Sequence, residues 1–203
     1  MAGELGVTER VYATLREAIL NGSLRAREHL DIEAIAARLK ASATPVRHAL
    51  AILTVERLVK VTPGKGYSVA FWSERELSVL YLWRGQLAVL ASAAYEVRPL
   101  PSNLNKRPYV EALAAVFTHI EDGRHAELSR AIAAADARLT LARAAESEVL
   151  DRTNTHLRDL IGASQQSRAK LQAALRRHFK VRVREAARIR ARAGLAALPR
   201  NGE

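Results

Sequence analysis

The sequence of 203 residues contains no cysteine, and only 5% of its residues are aromatic. Without cysteine the chain has no disulfide framework, no thiolate nucleophile and no cysteine-ligated zinc or iron–sulfur site. Ten glycines and six prolines are few for this length. Together with abundant alanine, this composition favours helices over a sheet-rich body. The sequence therefore predicts a mainly α-helical protein suited to a reducing compartment.

The sequence also shows no pattern typical of a membrane-spanning segment or an export signal. No apolar run approaches the roughly 20 residues that a bilayer-spanning helix needs. The N-terminal segment MAGELGVTERVY lacks the basic flank and apolar core of a signal peptide. We therefore expect a soluble, cytoplasmic protein with no membrane partner.

Acidic residues are too few to balance the basic ones, and the formal net charge is +11. The excess is uneven: residues 1–72 carry +3, residues 73–164 carry −1 and residues 165–203 carry +9. Such a balance favours a polyanionic partner, nucleic acid first.

Residues 7–72 carry the pattern of a winged helix-turn-helix. Helical spacing of apolar residues predicts a first helix from its N-cap Thr8 to Asn21. Two short helices follow, capped by Asp31 and by Ser42. The second of them would bury an apolar stripe and turn a cationic face outward, as a helix that enters a DNA major groove does. Its predicted inward residues are Val46, Ala49, Leu50 and Leu53, and its predicted outward residues include Thr44, Arg47 and His48.

Two short β-patterns follow that helix. The segments 58–61 and 67–71 flank the turn sequence Pro63-Gly64-Lys65-Gly66, which predicts a hairpin with a flexible basic tip. Three helices and a hairpin within about 65 residues are more specific than any one of these motifs, because each part is too small to bury its apolar face alone.

The segment from Ile19 to Val69 resembles the winged-helix domain of the GntR transcription regulators. The match is carried by SATPVRHAL (42–50) and LVKVTPGKGYSV (58–69). The resemblance implies DNA contacts from the recognition helix and the wing. By position these are Ser42, Thr44, Arg47, His48, Lys65 and Gly66. Ala43 stands where the family usually has arginine and His48 where it has glutamate, so operator affinity or sequence choice should differ from typical members.

The region 73–180 is predicted to be an antiparallel helical bundle that serves effector binding or dimerisation. Ser73 and Glu76 have capping-box spacing at the start of its first helix. Later helices are predicted over 109–120, from about Arg124 to Ala145, and from about Ser147 to Ile161. Arg84 falls on the apolar face of the first of these helices, where it must either bind a carboxylate of the protein or await an anionic ligand.

This region is similar to the ligand-binding domain of the FadR-like branch of the same family, here shortened and degenerate. The resemblance implies an organic-acid effector held by Arg84, with Asp136 and Thr140 beside it. In the family a metal-binding Asp-x-x-x-His begins at the position of Asp136, but Thr140 replaces the histidine. A divalent ion such as zinc, held by Asp136, His156 and His178, is therefore the weaker expectation, and no cofactor is predicted.

Residues 181–203 are predicted to form a basic C-terminal helix or tail. The stretch from Gln165 to Leu198 is predicted to be helical, with a first half that packs on the bundle and a second half that projects or frays. Its arginines either touch DNA phosphates or form a solvated tail.

These patterns predict a sequence-specific DNA-binding transcription regulator, not an enzyme, that binds a double-stranded operator as a homodimer. In the first version a small organic acid in the helical domain modulates operator affinity. The alternative is an effector-independent architectural or co-regulatory dimer, whose helical domain serves dimerisation alone. Phosphate loops, nucleophile elbows and paired catalytic carboxylates are missing from the sequence.

Overall fold

The computed structural model describes residues 2–101, 104–122, 126–151 and 153–196, with the backbone alone for residues 2–5, 105, 195 and 196. The chain divides into two units. One holds the residues through Phe71 and those from Ala193 onward, and the other holds Trp72–Arg192. Helices and one small sheet form the first, and helices form the described part of the second. The predicted fold class, a winged helix-turn-helix followed by an all-α bundle, is confirmed.

Three helices build the first unit: α1 Ala2–Leu20, α2 Ile32–Leu39 and α3 Ala43–Val55. The predicted stripe of α1 packs inward through Val11, Leu15 and Ile19, all buried. The prediction of Thr8 as N-cap is wrong, because residues 2–7 contain no proline and extend the same hydrogen-bonded helix. The apolar face of α1 and its end next to Asn21 were therefore predicted correctly, and its start was not.

The turn between α2 and α3 follows from local chemistry. Asp31 caps α2 as predicted, since its Oδ1 accepts the N–H of Ala34 at 2.9 Å. The helix ends on Lys40, whose φ of 50° lies in the left-handed region. Ser42 then takes the N-cap position of α3 with extended backbone. This short left-handed link sets the second helix of the motif at an angle to the first.

A three-stranded antiparallel sheet completes the first unit. Its strands are β1 His29–Leu30, β2 Val59–Thr62 and β3 Gly66–Val69, in the order β1-β3-β2. β2 and β3 form the predicted hairpin, whose turn uses positive φ at Gly64 (73°) and Gly66 (74°). β1 was not predicted, because two residues are too few to show an alternating pattern.

The second unit is a helical bundle. Its helices are α4 Glu74–Ala91, α5 Tyr109–Ile120, α6 Ala126–Val149, α7 Thr153–Ser164, α8 Arg168–Arg184 and the part of α9 (Ala186–Ala196) through Arg192. The predicted capping box at the start of α4 is present: Ser73 Oγ accepts the Glu76 N–H at 3.2 Å, and Glu76 Oε2 accepts the Ser73 N–H at 2.7 Å. α4 lies against α6 and α8, and α7 lies against α5 and α8.

Three helix boundaries in the second unit differ from those predicted. α6 runs on to Val149, and α7 covers Thr153–Ser164 instead of running from near Ser147 to Ile161. The predicted start of α6 near Arg124 lies outside the described residues, as do residues 197–203 at the end of the basic stretch. The expectation that the second half of that stretch projects is wrong for residues 181–192, because Arg182, Ala186 and Ile189 are buried.

One described helix is long and apolar enough to cross a membrane by length and composition. It is the segment Glu74–Ala94, with a mean hydropathy of 1.2. This finding corrects the expectation that no apolar run reaches such a length. Half of the segment is buried in the bundle, and core helices of soluble proteins pass the same test.

A buried acid and a buried arginine tie four helices of the bundle together. Glu146 on α6 accepts hydrogen bonds from Tyr81 of α4 at 2.8 Å, Tyr109 of α5 at 2.9 Å and Arg182 Nε of α8 at 2.9 Å. Arg182 also donates to the carbonyl of His178 at 2.9 Å. Burial, reinforced by Glu146, raises the pKa of Tyr81 well above its usual value, so its hydroxyl stays a donor.

Removing the acid from this network should destabilise the bundle strongly. Glu146→Ala leaves the buried Arg182 cation without its carboxylate, a loss of about 3–5 kcal/mol in the free energy of unfolding. Urea unfolding followed by circular dichroism measures it.

The matched control is Glu148→Ala on the same helix. Glu148 pairs with Arg192 at the surface, and both side chains are about half exposed. Its removal should cost less than about 1 kcal/mol. Equal losses in the two variants would contradict the assigned role of Glu146.

Candidate functional site

The outward face of α3 carries every recognition-helix residue that the sequence singled out. Ser42, Thr44, Arg47 and His48 are exposed, while the next positions on the inward side are buried. Those buried residues are Pro45, Val46, Ala49 and Leu50. The apolar residues of α3 build the core of the unit. The polar and cationic residues of its first turn and a half are therefore exposed to solvent, where they can enter a DNA groove.

Two of these side chains are only weakly engaged within the protein. The guanidinium of Arg47 lies 3.9 Å from Glu33 Oε1 of α2, the long end of ion-pair distance, and both side chains are mostly exposed. Such a surface pair contributes little, so exchanging it for a DNA contact costs little. Ser42 takes the N-cap position without a side-chain cap hydrogen bond to any described residue. Its hydroxyl is therefore available beside the helix N-terminus, where phosphate oxygens bind well.

The tip of the wing presents the other two predicted contacts. Lys65 and Gly66 are exposed, and the Lys65 N–H closes the turn on the Thr62 carbonyl at 2.9 Å. A side chain on Gly66 would need positive φ, and its Cβ would lie 3.3 Å from the ring of His29. Glycine there keeps the hairpin tight against β1 and holds Lys65 at the apex.

Arg84, the predicted effector ligand, is completely buried and binds carboxylates of the protein. Its Nη1 lies 2.7 Å from Glu121 Oε1, and its Nε donates to Asp136 Oδ1 at 2.6 Å. The guanidinium also stacks 4.6 Å over the ring of Phe117. Of the two alternatives that the sequence left open for Arg84, the structure therefore contains the internal pairing.

Asp136 is shared between two arginines. Arg143, two turns further along α6, donates to Asp136 Oδ1 at 2.6 Å. Burial alone would raise the pKa of Asp136, but Arg143 and Arg84 outweigh it and hold the pKa below its usual value. With Glu121, the cluster contains two cations and two anions, so its charges cancel.

The residues do not fit a metal ion. Both Asp136 oxygens are engaged by guanidinium groups, and the Thr140 hydroxyl donates to the Asp136 carbonyl at 3.0 Å. Among the described residues, no group of three histidine, aspartate or glutamate side chains is placed to hold a metal. A carboxylate neutralised by two arginines is a poor ligand for a divalent cation.

The two remaining predicted metal ligands, His178 and His156, lie in different surroundings. His178 is buried edge-on against Phe117 and Phe179, with ring centroids 5.7 and 5.1 Å away. Burial, helped by Arg182 and Arg143, lowers the pKa of His178 well below its usual value, so the ring is neutral at pH 7. His156 is half-buried and lines a cavity of about 360 Å³ together with Asp151 and Arg184.

Sequence reasoning missed Glu121 and Arg143 as partners in this cluster. Arg143 had a usable signal, since its position seven residues after Asp136 puts both on one face of a helix. Glu121 had none, because it follows the last residue of α5 and meets Arg84 through tertiary packing alone.

An exposed cationic helix beside a short hairpin defines a winged helix-turn-helix domain. Residues 7–69 match the family of bacterial regulatory proteins described as the gntR family. They are a helix-turn-helix domain of that family.

A relative and two solved structures are similar to this chain. The HTH-type transcriptional repressor GlaR of Escherichia coli (strain K12) is 37% identical over 84 residues, which cover 41% of this chain and 38% of GlaR. The fold resembles that of a candidate GntR regulator of Rhodococcus sp. RHA1 (TM-score 0.67, 20% identity, 90% of this chain and 96% of that one). It also resembles E. coli McbR/YncC (TM-score 0.63, 19% identity, 90% and 97%). The aligned segment spans under two fifths of GlaR, whereas the fold likeness spans both units.

The buried neutral His178 predicts that the bundle loses stability in acid. The folded state resists protonation of this ring, whereas the unfolded chain takes up the proton below about pH 6.5. The free energy of unfolding should therefore fall as the pH falls from that value, by up to about 2 kcal/mol at about pH 5. Urea unfolding across this range measures the slope.

His178→Gln should flatten that slope, because glutamine does not titrate. His119→Gln gives a comparison of the same sign: burial and then Arg98 lower the pKa of His119, but that ring is much less buried. It should remove the smaller share. A slope that His178→Gln leaves unchanged would show that the ring is protonated as readily in the folded protein as in the unfolded chain.

Proposed function

We propose that the chain is a sequence-specific, DNA-binding transcription regulator of the GntR type. The observation that carries the proposal is the exposed first turn and a half of α3, where Ser42, Thr44, Arg47 and His48 face solvent over a buried apolar stripe. The family match of residues 7–69 and the likeness to GlaR support it. In this proposal residues 7–72 bind DNA in the cytoplasm, without catalysis and without a membrane.

The recognition chemistry divides between the helix and the wing. Arg47 gives up its loose contact with Glu33 and donates to a guanine edge or to a phosphate, while the hydroxyls of Ser42 and Thr44 bind phosphate oxygens. Lys65 at the wing tip adds a phosphate contact. Ala43 supplies no donor, so Arg47 is the only arginine in the segment 42–50 that reads DNA.

A homodimer is the expected binding unit. Two-fold symmetric proteins bind palindromic operators with two recognition helices one helical turn, or a multiple of it, apart. Two copies also double every contact proposed for one half-site.

Replacing Arg47 tests the reading helix directly. Arg47→Ala should abolish specific operator retention, because a good base contact contributes about 1–3 kcal/mol per half-site and is lost twice in a dimer. Operator fragments selected from genomic DNA by the purified chain provide the probe. Mobility shifts against unrelated DNA of equal length measure specificity.

Arg130→Ala is the matched control, because it removes the same charge from an exposed position on the helical unit. It should keep specific retention. Equal specific retention of the operator by the Arg47 variant and the unmodified chain would place DNA recognition elsewhere.

Two versions of this function differ in what the helical unit does. In the first, a small organic acid bound between the helices favours one arrangement of the dimer and changes operator affinity, with Arg84, Asp136 and Thr140 at its site. In the second, the unit serves dimerisation alone, as in an architectural or co-regulatory binder. The neutralised cluster around Arg84 favours the second, since an incoming carboxylate would have to displace Asp136 or Glu121 from a buried cation.

Calorimetric titration with a panel of mono-, di- and tricarboxylic acids, and with divalent zinc and nickel, separates the two versions. The neutralised cluster predicts no saturable heat and an unchanged operator affinity. Saturable heat from one acid, accompanied by a shift in operator affinity, would establish the effector version instead.

A further inference from the structure

The outward face of α8 carries charge of one sign only. The helix contains seven lysine and arginine residues and no acidic residue. Its inward face consists of large residues, among them Leu171, Leu175 and Phe179, which are all buried. On the opposite side four cations are exposed within about 100° of arc, because residues three, four and seven positions apart share one face of a helix. We call this set the α8 face: Arg176, Arg177, Lys180 and Arg184.

Three of these four cations have no partner within the described parts of the protein. No side-chain hydrogen bond or ion pair there engages Arg176, Arg177 or Lys180. An arginine at the surface of the same unit can be paired, as Arg98 is with Asp122 at 2.9 Å. The charge of the α8 face is therefore left to solvent or to a partner from outside the chain.

The fourth cation is only partly neutralised. The guanidinium of Arg184 lies 2.9 Å from Glu185, whose carboxylate also binds Arg188 of α9 at 3.1 Å. One carboxylate between two guanidinium groups leaves one positive charge uncompensated. The α8 face and Arg188 together therefore keep four positive charges that no described acidic residue balances.

Such a face costs the helix stability. Lys180 is four residues from Arg176 and four from Arg184, a spacing at which like charges repel each other. The helix dipole favours cations in the last turn, and this accounts for Arg184. It does not account for Arg176 and Arg177, which lie about two turns before the end of α8. A bound polyanion would replace this repulsion by attraction.

We propose that the α8 face is a second DNA-binding surface, which binds the phosphate backbone of duplex DNA independently of base sequence. The inference rests on the proposed function in its choice of DNA as the polyanion. It goes beyond that function, which assigns the DNA contacts to residues 7–72 alone. From Arg176 to Arg184 the face extends about 12 Å along the helix axis. One DNA strand presents about three to four phosphates over that length, which matches the four cations in number.

The composition of the α8 face favours nucleic acid over a protein or a membrane. The other residues in the same arc are Ala169 and Ala173, and no large apolar side chain of α8 is exposed. Protein interfaces have an apolar, often aromatic centre, and helices that lie on membranes bury a wide apolar face. Phosphate groups require neither, because cations bind them directly. Three of the four cations are arginines, whose planar guanidinium can donate two hydrogen bonds to one phosphate.

The salt dependence of binding to a duplex of unrelated sequence tests the α8 face. Each phosphate contact contributes about 0.9 to the slope of log affinity against log salt concentration. A full chain that carries Arg176→Gln, Arg177→Gln and Lys180→Gln should therefore show a slope smaller by about 2.7 per bound chain. Between about 50 and 200 mM salt, the unmodified chain should lose about fortyfold more affinity than this α8 variant. Fluorescence anisotropy of the labelled duplex measures both slopes.

A control variant removes three charges from exposed positions elsewhere on the helical unit. It carries Lys106→Gln, Arg107→Gln and Arg130→Gln. Its net charge equals that of the α8 variant, so an effect of total charge alone would change both slopes alike. The control should keep the slope of the unmodified chain. Circular dichroism verifies that both variants are folded.

Two results overturn the proposal: a slope that the α8 variant leaves unchanged, and a slope that the control lowers equally. If the slope is unchanged and the α8 variant instead loses binding to vesicles of phosphatidylserine and phosphatidylcholine, the face binds lipid.

Operator DNA separates this proposal from the proposed function. The α8 variant should lose affinity for operator and for unrelated DNA by the same factor, whereas Arg47→Ala changes the ratio of the two affinities. A chain that selects no operator contradicts the proposed function, but its slope on unrelated DNA still decides whether the α8 face binds phosphates.

Discussion

A guanidinium group can be buried only if carboxylates and hydrogen-bond acceptors replace its water, and the helical unit of this protein meets that condition twice. Arg84 binds Glu121 and Asp136, and Arg182 binds Glu146, with distances of 2.6 to 2.9 Å. Removing water from each ion costs several kcal/mol, and only a complete set of partners repays it. The partners come from different helices, so the helices must take one relative arrangement for the charges to be satisfied.

The same requirement engages the acids of the bundle with other groups of the chain. Glu146 accepts from two tyrosines and an arginine, and Asp136 accepts from two arginines. A ligand-binding bundle needs polar groups left over for its ligand. Arg84, Asp136 and Thr140, which the resemblance assigns to an effector, are hydrogen-bonded to one another. The ion pair of Arg84 with Asp136 thereby joins α4 to α6.

The fold could be predicted from the sequence where local rules decide it, and the interior of the helical unit could not. Asp31, the capping box of Ser73 and Glu76, and the inward stripe of α3 all follow from hydrogen bonds and apolar spacing within a few residues. The exposure of Thr44, Arg47 and His48 followed from that same stripe. Arg84 was recognised as anomalous on an apolar face, but its partners Glu121 and Asp136 lie 37 and 52 residues away. The short strand β1 likewise exists because it pairs with β3, far along the chain, and such pairing leaves no periodic signal.

In the proposed function, the strength of DNA binding depends on both the recognition helix and the pairing of two copies. Alanine at position 43 leaves each proposed recognition helix with Arg47 and short hydroxyl side chains as its DNA contacts, so that in this function one half-site binds weakly. Linking two such helices raises the effective concentration of the second once the first is bound, and affinity then multiplies without any new contact. A weak half-site therefore places more of the operator affinity on the dimer than a typical recognition helix would.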